Sequence, residues 1–178
     1  MTATLEQQTV TPHSKSCKER VRPSYRRACG DLTIIFSVMD GSATPEQSSK
    51  YMEEYGYQDP TEVICNYGLS IDYILPDKES GVHKGYLQWL VTWGDPGIEW
   101  KFYFVPGEDE PYRIEYWFLD WYDSAKVTCT KGRVANLLWQ FLQECDTPMS
   151  KYREAKKEEQ EYEFNESLKR SLDALRIK

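Results

Sequence analysis

Histidine is nearly absent. The 178-residue chain holds only His13 and His83, which leaves little material for histidine acid–base chemistry or a His-rich metal centre. The five cysteines (Cys17, Cys29, Cys65, Cys129, Cys145) are odd in number and show no Cys-x-x-Cys spacing. Free thiols in a reducing compartment are therefore expected, rather than a disulfide framework or a zinc site. No Gly-rich phosphate loop occurs. No apolar run approaches the ~18 residues of a membrane span. The opening MTATLEQQTVTPHSK lacks the apolar middle of a secretory signal. These absences give the expectation of a cytoplasmic protein with no cofactor and no catalytic residue to nominate.

Positive charge is scarce in the body of the chain. Residues 31–150 carry eight Lys/Arg against twenty Asp/Glu, a net of −12. Residues 1–30 carry six against two, a net of +4, and residues 151–178 carry eight against seven, which gives −7 in total. A body so acidic repels nucleic acid and favours basic partners. Nucleic-acid contact is left only to the basic run Lys18, Arg20, Arg22, Arg26 and Arg27.

Aromatic residues are abundant. Five of the six tryptophans fall in residues 86–121, within the runs YLQWLVTW, IEWKFYFV and YRIEYWFLDW. The clusters GDPG and PGEDEP separate these runs, so the stretch reads as a three-strand meander with tight turns. Leu87, Trp89, Val91 and Trp93 share one face of the first strand, and Ile98, Trp100, Phe102 and Phe104 share one face of the second. The third strand offers Tyr112, Ile114, Tyr116 and Phe118 against Arg113, Glu115, Trp117, Leu119 and Trp121. A sheet with aromatics on both faces must be covered twice or must bind something.

Other elements follow from periodicity and end signals. Residues 32–39 (LTIIFSVM) read as a central strand because the run is almost continuously apolar. Thr44, Pro45 and Gln47 start a short helix that Gly56 ends, and Asp59, Pro60 and Glu62 start another that Gly68 ends. This helix pair does not suit DNA, since Glu53, Glu54, Asp59 and Glu62 would face phosphates. Residues 69–75 and about 125–130 read as strands. Val134, Leu137, Leu138, Phe141, Leu142 and Cys145 form the apolar stripe of a helix over 131–145, with Trp139 off the stripe. Asp146, Thr147 and Pro148 break it, and a charged helix follows, with Phe164, Leu168, Leu172 and Leu175 at helical spacing. The expected organisation is a flexible basic arm (1–28), an α+β domain (29–148) with a mainly antiparallel sheet of about five or six strands, and a charged C-terminal helix (149–178).

The segments CGDLTIIFSVMDGSATPEQ, WGDPGIEWKFYF and EYWFLDWYD resemble small uncharacterised proteins carried by plasmids and phages, over roughly residues 29–145. The resemblance implies a genetic setting in which small acidic inhibitors of host defence, anti-CRISPR proteins among them, are frequent. It carries over no functional residue.

Three functions remain open at this point. The first is a binding protein that meets a basic partner through acidic loops (Asp95, Glu108, Asp109, Glu110) and aromatics (Tyr103, Trp117, Trp121, Trp139), imitating spaced phosphates as an inhibitor of a nucleic-acid-handling complex would. The second is a homo-oligomer assembled through Phe164, Leu168, Leu172 and Leu175. The third is a metal-dependent enzyme using Glu99, Glu115, Asp120 and Asp123.

Overall fold

A computed structural model describes residues 15–94 and 96–176, with side chains to Leu172. The arm residues before Lys15, and Asp95, lie outside the described residues.

The chain begins with a long helix, α1 (Cys17–Met39). Residues 17–28 of the expected arm and the expected strand at 32–39 are therefore one helix. The helix runs through both Pro23 and Gly30. Cys17, Val21, Ala28, Leu32, Ile35 and Phe36 are buried at helical spacing, and this stripe overrides the local cost of the proline. The start is capped locally and pinned from a distance. Ser16 N donates to Glu19 Oε2 at 3.0 Å, and Cys17 N donates to Asp123 Oδ2 at 2.7 Å. Arg20 pairs with Asp120 and lies over the Phe118 ring at 4.8 Å. One member of the basic run thus serves docking, while Lys18, Arg22, Arg26 and Arg27 stay exposed.

Two short helices follow as their caps foretell. In α2 (Pro45–Tyr55), Thr44 Oγ1 accepts from Gln47 N at 3.2 Å and Gly56 ends the helix at φ +63°. In α3 (Pro60–Cys65), Asp59 accepts from Thr61 N at 2.8 Å. Gly68 is not a stop signal. Asn66 caps α3, and a Cβ on Gly68 would lie 2.1 Å from Trp89 Nε1, so glycine is required there for close approach.

The sheet is a five-stranded antiparallel meander, β1 (Ser70–Ile74), β2 (Tyr86–Thr92), β3 (Gly97–Tyr103), β4 (Arg113–Asp120) and β5 (Asp123–Thr128), in sequence order. The molecule is α+β, as expected. Leu87, Trp89, Trp100, Phe102, Ile114, Tyr116 and Phe118 point to the helical side and are buried. This resolves the third strand of the aromatic run: Ile114, Tyr116 and Phe118 face the core, and Arg113, Glu115, Trp117 and Leu119 face the other way.

Helix α4 (Arg133–Glu144) lies beside α1 on the same side of the sheet and touches both. Leu138 and Leu142 are buried, and Phe141 meets Phe36 edge to face. Trp139 is also core. It stacks on Phe102 at 5.8 Å, and its Nε1 donates to the Asp109 carbonyl at 2.7 Å. A helix that meets both a neighbouring helix and the sheet buries more than one stripe, which is why periodicity placed Trp139 outside. Asp146, at φ +53°, separates α4 from α5 (Thr147–Arg176). The first turns of α5 lie against β1, where Tyr152 meets Tyr73 at 5.1 Å. Among the described residues, all helices that contact the sheet do so on its core side, and none covers the opposite, open face. Among the described residues, no helix is long and apolar enough to cross a membrane.

Candidate functional site: the open face of the sheet

Strict alternation sends Gln88, Leu90, Glu99, Lys101, Tyr103, Arg113, Glu115, Trp117, Leu119 and Lys126 to the open face. Its centre is a lattice of charges and rings. Lys101 Nζ is 2.8 Å from Glu99 Oε1, 4.4 Å from the Trp117 ring centre and 4.8 Å from that of Tyr86. Gln88 Nε2 donates to the other oxygen of Glu99. Glu115 accepts from Lys126 Nζ at 2.7 Å, Trp117 Nε1 at 3.0 Å and the Tyr103 hydroxyl at 3.2 Å. The Arg113 guanidinium lies 3.8 Å from the Tyr103 ring centre.

Glu115 is 1% exposed although it sits on the solvent side. Its neighbours' long side chains lie flat over it. Burial pushes its carboxyl up, but the Lys126, Trp117 and Arg113 partners outweigh burial and hold it below the usual range. Every carboxylate proposed for a metal is engaged in this way or with a backbone donor: Glu99 with Lys101, Glu115 with Lys126, Asp120 with Arg20, and Asp123 with Cys17 N. The four do not converge. Asp120 and Asp123 face α1, and Glu99 and Glu115 face away from it. Among the described residues no group of three or more His, Cys, Asp or Glu is placed to hold a metal ion. All five cysteines are free; Cys17 and Cys129 are buried, and burial pushes the Cys129 thiol up to about 12.

One end of this face differs from the centre. The β2–β3 turn and the β4–β5 turn both lie there. They frame a depression of about 620 Å³, walled by Trp93, Trp117 and Trp121 with Leu90 and Leu119, and reached by Gln88, Glu99 and Lys101. Trp93 is 82% exposed and Trp121 is 81% exposed, with Tyr122 fully exposed beside it. Trp93 does not follow Leu87, Trp89 and Val91 into the core, because the β2–β3 register shifts between Leu90 and Thr92 and the strand ends there. Trp121 occupies a two-residue turn between paired Asp120 and Asp123 with φ +43°. A bulky side chain there is an outlier, since this conformation suits Gly or Asn.

The sequence-nominated residues separate. Trp117 and Trp121 line the depression. Tyr103 is buried under Arg113, and Trp139 is buried under the 104–112 loop, so neither offers a surface. Glu108, Asp109 and Glu110 are exposed in the β3–β4 loop, at the opposite end of β3 from the β2–β3 turn; Asp95 lies outside the described residues. Seven strand residues separate the two ends by roughly 23 Å at ~3.3 Å per residue. The β3–β4 loop and the β2–β3 turn therefore do not form one patch. Trp93 and Tyr122 escaped the sequence reading; the two-residue link WY between Asp120 and Asp123 in FLDWYDS was the available signal.

Comparison with known proteins found no matching family model, no matching curated protein and no matching solved structure.

Proposed function

We propose that this chain is a protein-binding module whose contact surface is the tryptophan-framed end of the open sheet face. The observation that carries the reading is Trp121. It holds a large ring in solvent at positive φ, a placement that costs stability twice, once in backbone strain and once in exposed apolar area. Such strain fits a contact residue rather than a structural one. Trp93, Trp117 and Tyr122 lie with it, and tryptophan and tyrosine are the residue types that anchor protein interfaces. The net −12 of residues 31–150 fits a partner with a basic surface. The finer reading, an inhibitor that imitates spaced phosphates, would draw on one acidic end at a time.

Trp121→Gly tests the role. It relieves the turn and removes the ring, so the thermal midpoint should stay or rise while capture of a basic partner is lost. A variant carrying Glu108→Gln, Asp109→Asn and Glu110→Gln should keep that capture. Retention by Trp121→Gly together with loss by the loop variant would overturn the assignment.

A second surface supports self-association. Beyond Glu159, α5 leaves the body, and Phe164, Leu168 and Leu172 are 67%, 49% and 51% exposed along it. Leu175, the fourth residue of that stripe, lies past the described side chains.

A further inference from the structure

We propose that a second hollow on the open face, at the end opposite the tryptophans, binds a small phosphate monoester. Its volume is about 390 Å³, a size that suits a small ligand, and Lys84, Lys101 and Arg113 line it with His83, Tyr86 and Tyr103. Among the described residues it shares only Lys101 with the tryptophan-framed depression.

The fold gathers these side chains from separate elements. Tyr86 opens β2, Tyr103 closes β3 and Arg113 opens β4, and the pairing of β3 with β4 sets Tyr103 opposite Arg113. Lys101 lies two residues before Tyr103 and so shares its face. His83 and Lys84 come from the β1–β2 loop. Each of the three cations is laid against a tyrosine ring. Lys101 Nζ is 4.8 Å from the Tyr86 ring centre, the Arg113 guanidinium is 3.8 Å from that of Tyr103, and Lys84 Nζ is 5.2 Å from that of Tyr112. The rings themselves form a row, Tyr86 to Tyr103 at 5.2 Å and Tyr103 to Tyr112 at 6.3 Å. A ring contact steadies a cation without neutralising its charge.

Charge makes this hollow a site. Residues 31–150 hold eight Lys/Arg and twenty Asp/Glu. Three of those eight line the hollow, and among the described residues none of the twenty does. Glu99 pairs with Lys101 at 2.8 Å, and Glu115 is shared between Lys126 at 2.7 Å and Arg113 at 3.5 Å. Lys84 has no ion pair among the described residues. Lys84, Lys101, Arg113 and Lys126 thus share two carboxylates, and two positive charges are left over. The acidic β3–β4 loop turns the other way. The Asp109 carbonyl accepts from Trp139 and Gln143 of α4, and Asp109 and Glu110 line a hollow against that helix. Gathering like charges is costly, and a body with twenty carboxylates could have paired them. An anion from solution supplies what the chain does not.

The residues also select the anion. Lysine and arginine donate hydrogen bonds and accept none, so the ligand must present acceptors. A phosphate monoester brings three acceptor oxygens and a charge of about −1.5 to −2 at neutral pH, which matches the excess; a carboxylate brings a single charge. Half-buried Tyr86 gives the body of the ester a flat wall.

Isothermal titration calorimetry of the full chain with phenyl phosphate tests this. One molecule should bind per chain, and the affinity should fall as salt rises. Benzoate, with the same ring and a single charge, should bind about tenfold more weakly or worse. Lys84→Gln, in an exposed loop, should weaken phenyl phosphate by about tenfold, the loss expected for one hydrogen bond to a charged group. Lys84→Arg should retain binding, and Lys50→Gln, on α2, should leave it unchanged. The thermal midpoint of each variant checks that the fold is kept. No saturable binding up to about 10 mM, beyond the scale of weak association, overturns the site, and so does binding that Lys84→Gln leaves unchanged. Benzoate that binds as tightly as phenyl phosphate overturns the choice of a phosphate. A chain that binds a phosphotyrosyl peptide but not phenyl phosphate overturns the small ligand in favour of a phosphorylated protein.

Discussion

At the scale of single residues, the open face shows how charge is kept on the solvent side of a sheet without being free. Glu115 is held by Lys126, Trp117, Tyr103 and Arg113, and its carboxyl sits below the usual range. A carboxyl lower in the folded than in the unfolded state contributes stability that is full above the unfolded value, about 4.3 for Glu, and is lost as pH falls through the folded value. Asp123, lowered mainly by the Cys17 backbone N–H, acts in the same direction. Chemical denaturation should therefore show stability falling below about pH 4, and Glu115→Gln should flatten that acid slope. An identical slope in the variant would mean the lattice is electrostatically idle. Gly30 gives a second residue-level expectation. It lies exposed inside α1, and a Cβ there would meet nothing within 4 Å. Gly30→Ala should raise stability by about 0.5–1 kcal/mol. A loss on substitution would mean the helix needs a bend at that point.

At the scale of elements, legibility followed the range of the signal. The caps of α2 and α3 are local, and Thr44, Pro45, Asp59 and Pro60 announced them. The meander is local too, since GDPG and PGEDEP mark its turns. Helix α1 is not local. Its basic residues and Pro23 argue for an arm, and Phe118, Asp120 and Asp123, about a hundred residues away, supply contacts that hold Cys17 and Arg20 in place. Trp139 was missed for a related reason, since its place depends on Phe102, Phe104 and the Asp109 carbonyl, not on its own helix. Trp117 and Trp121 could be read from alternation, whereas Trp93 depends on a register shift that alternation does not show. The docked state of α1 has a direct consequence. Deleting residues 1–27 removes buried Cys17 and Val21 together with the Tyr25 ring, which meets Trp100 at 5.9 Å and Tyr116 at 5.5 Å. Several kcal/mol go with them, and the thermal midpoint should drop by more than about 10 °C. A midpoint within a few degrees of the full chain would show that this segment is not part of the fold.

At the scale of the whole molecule, the two faces of the sheet divide the work. One face builds the core with α1 and α4. The other keeps a charged lattice at its centre and places its exposed tryptophans at one end, while α5 carries a separate apolar stripe away from the body. Amide hydrogen exchange of the full chain, alone and with a partner it captures, tests the central claim most directly. The account predicts new protection in residues 88–101 and 113–124, with the loop 105–111 unchanged. Protection confined to that acidic loop or to α5, with 88–101 and 113–124 exchanging as in the free chain, would contradict it.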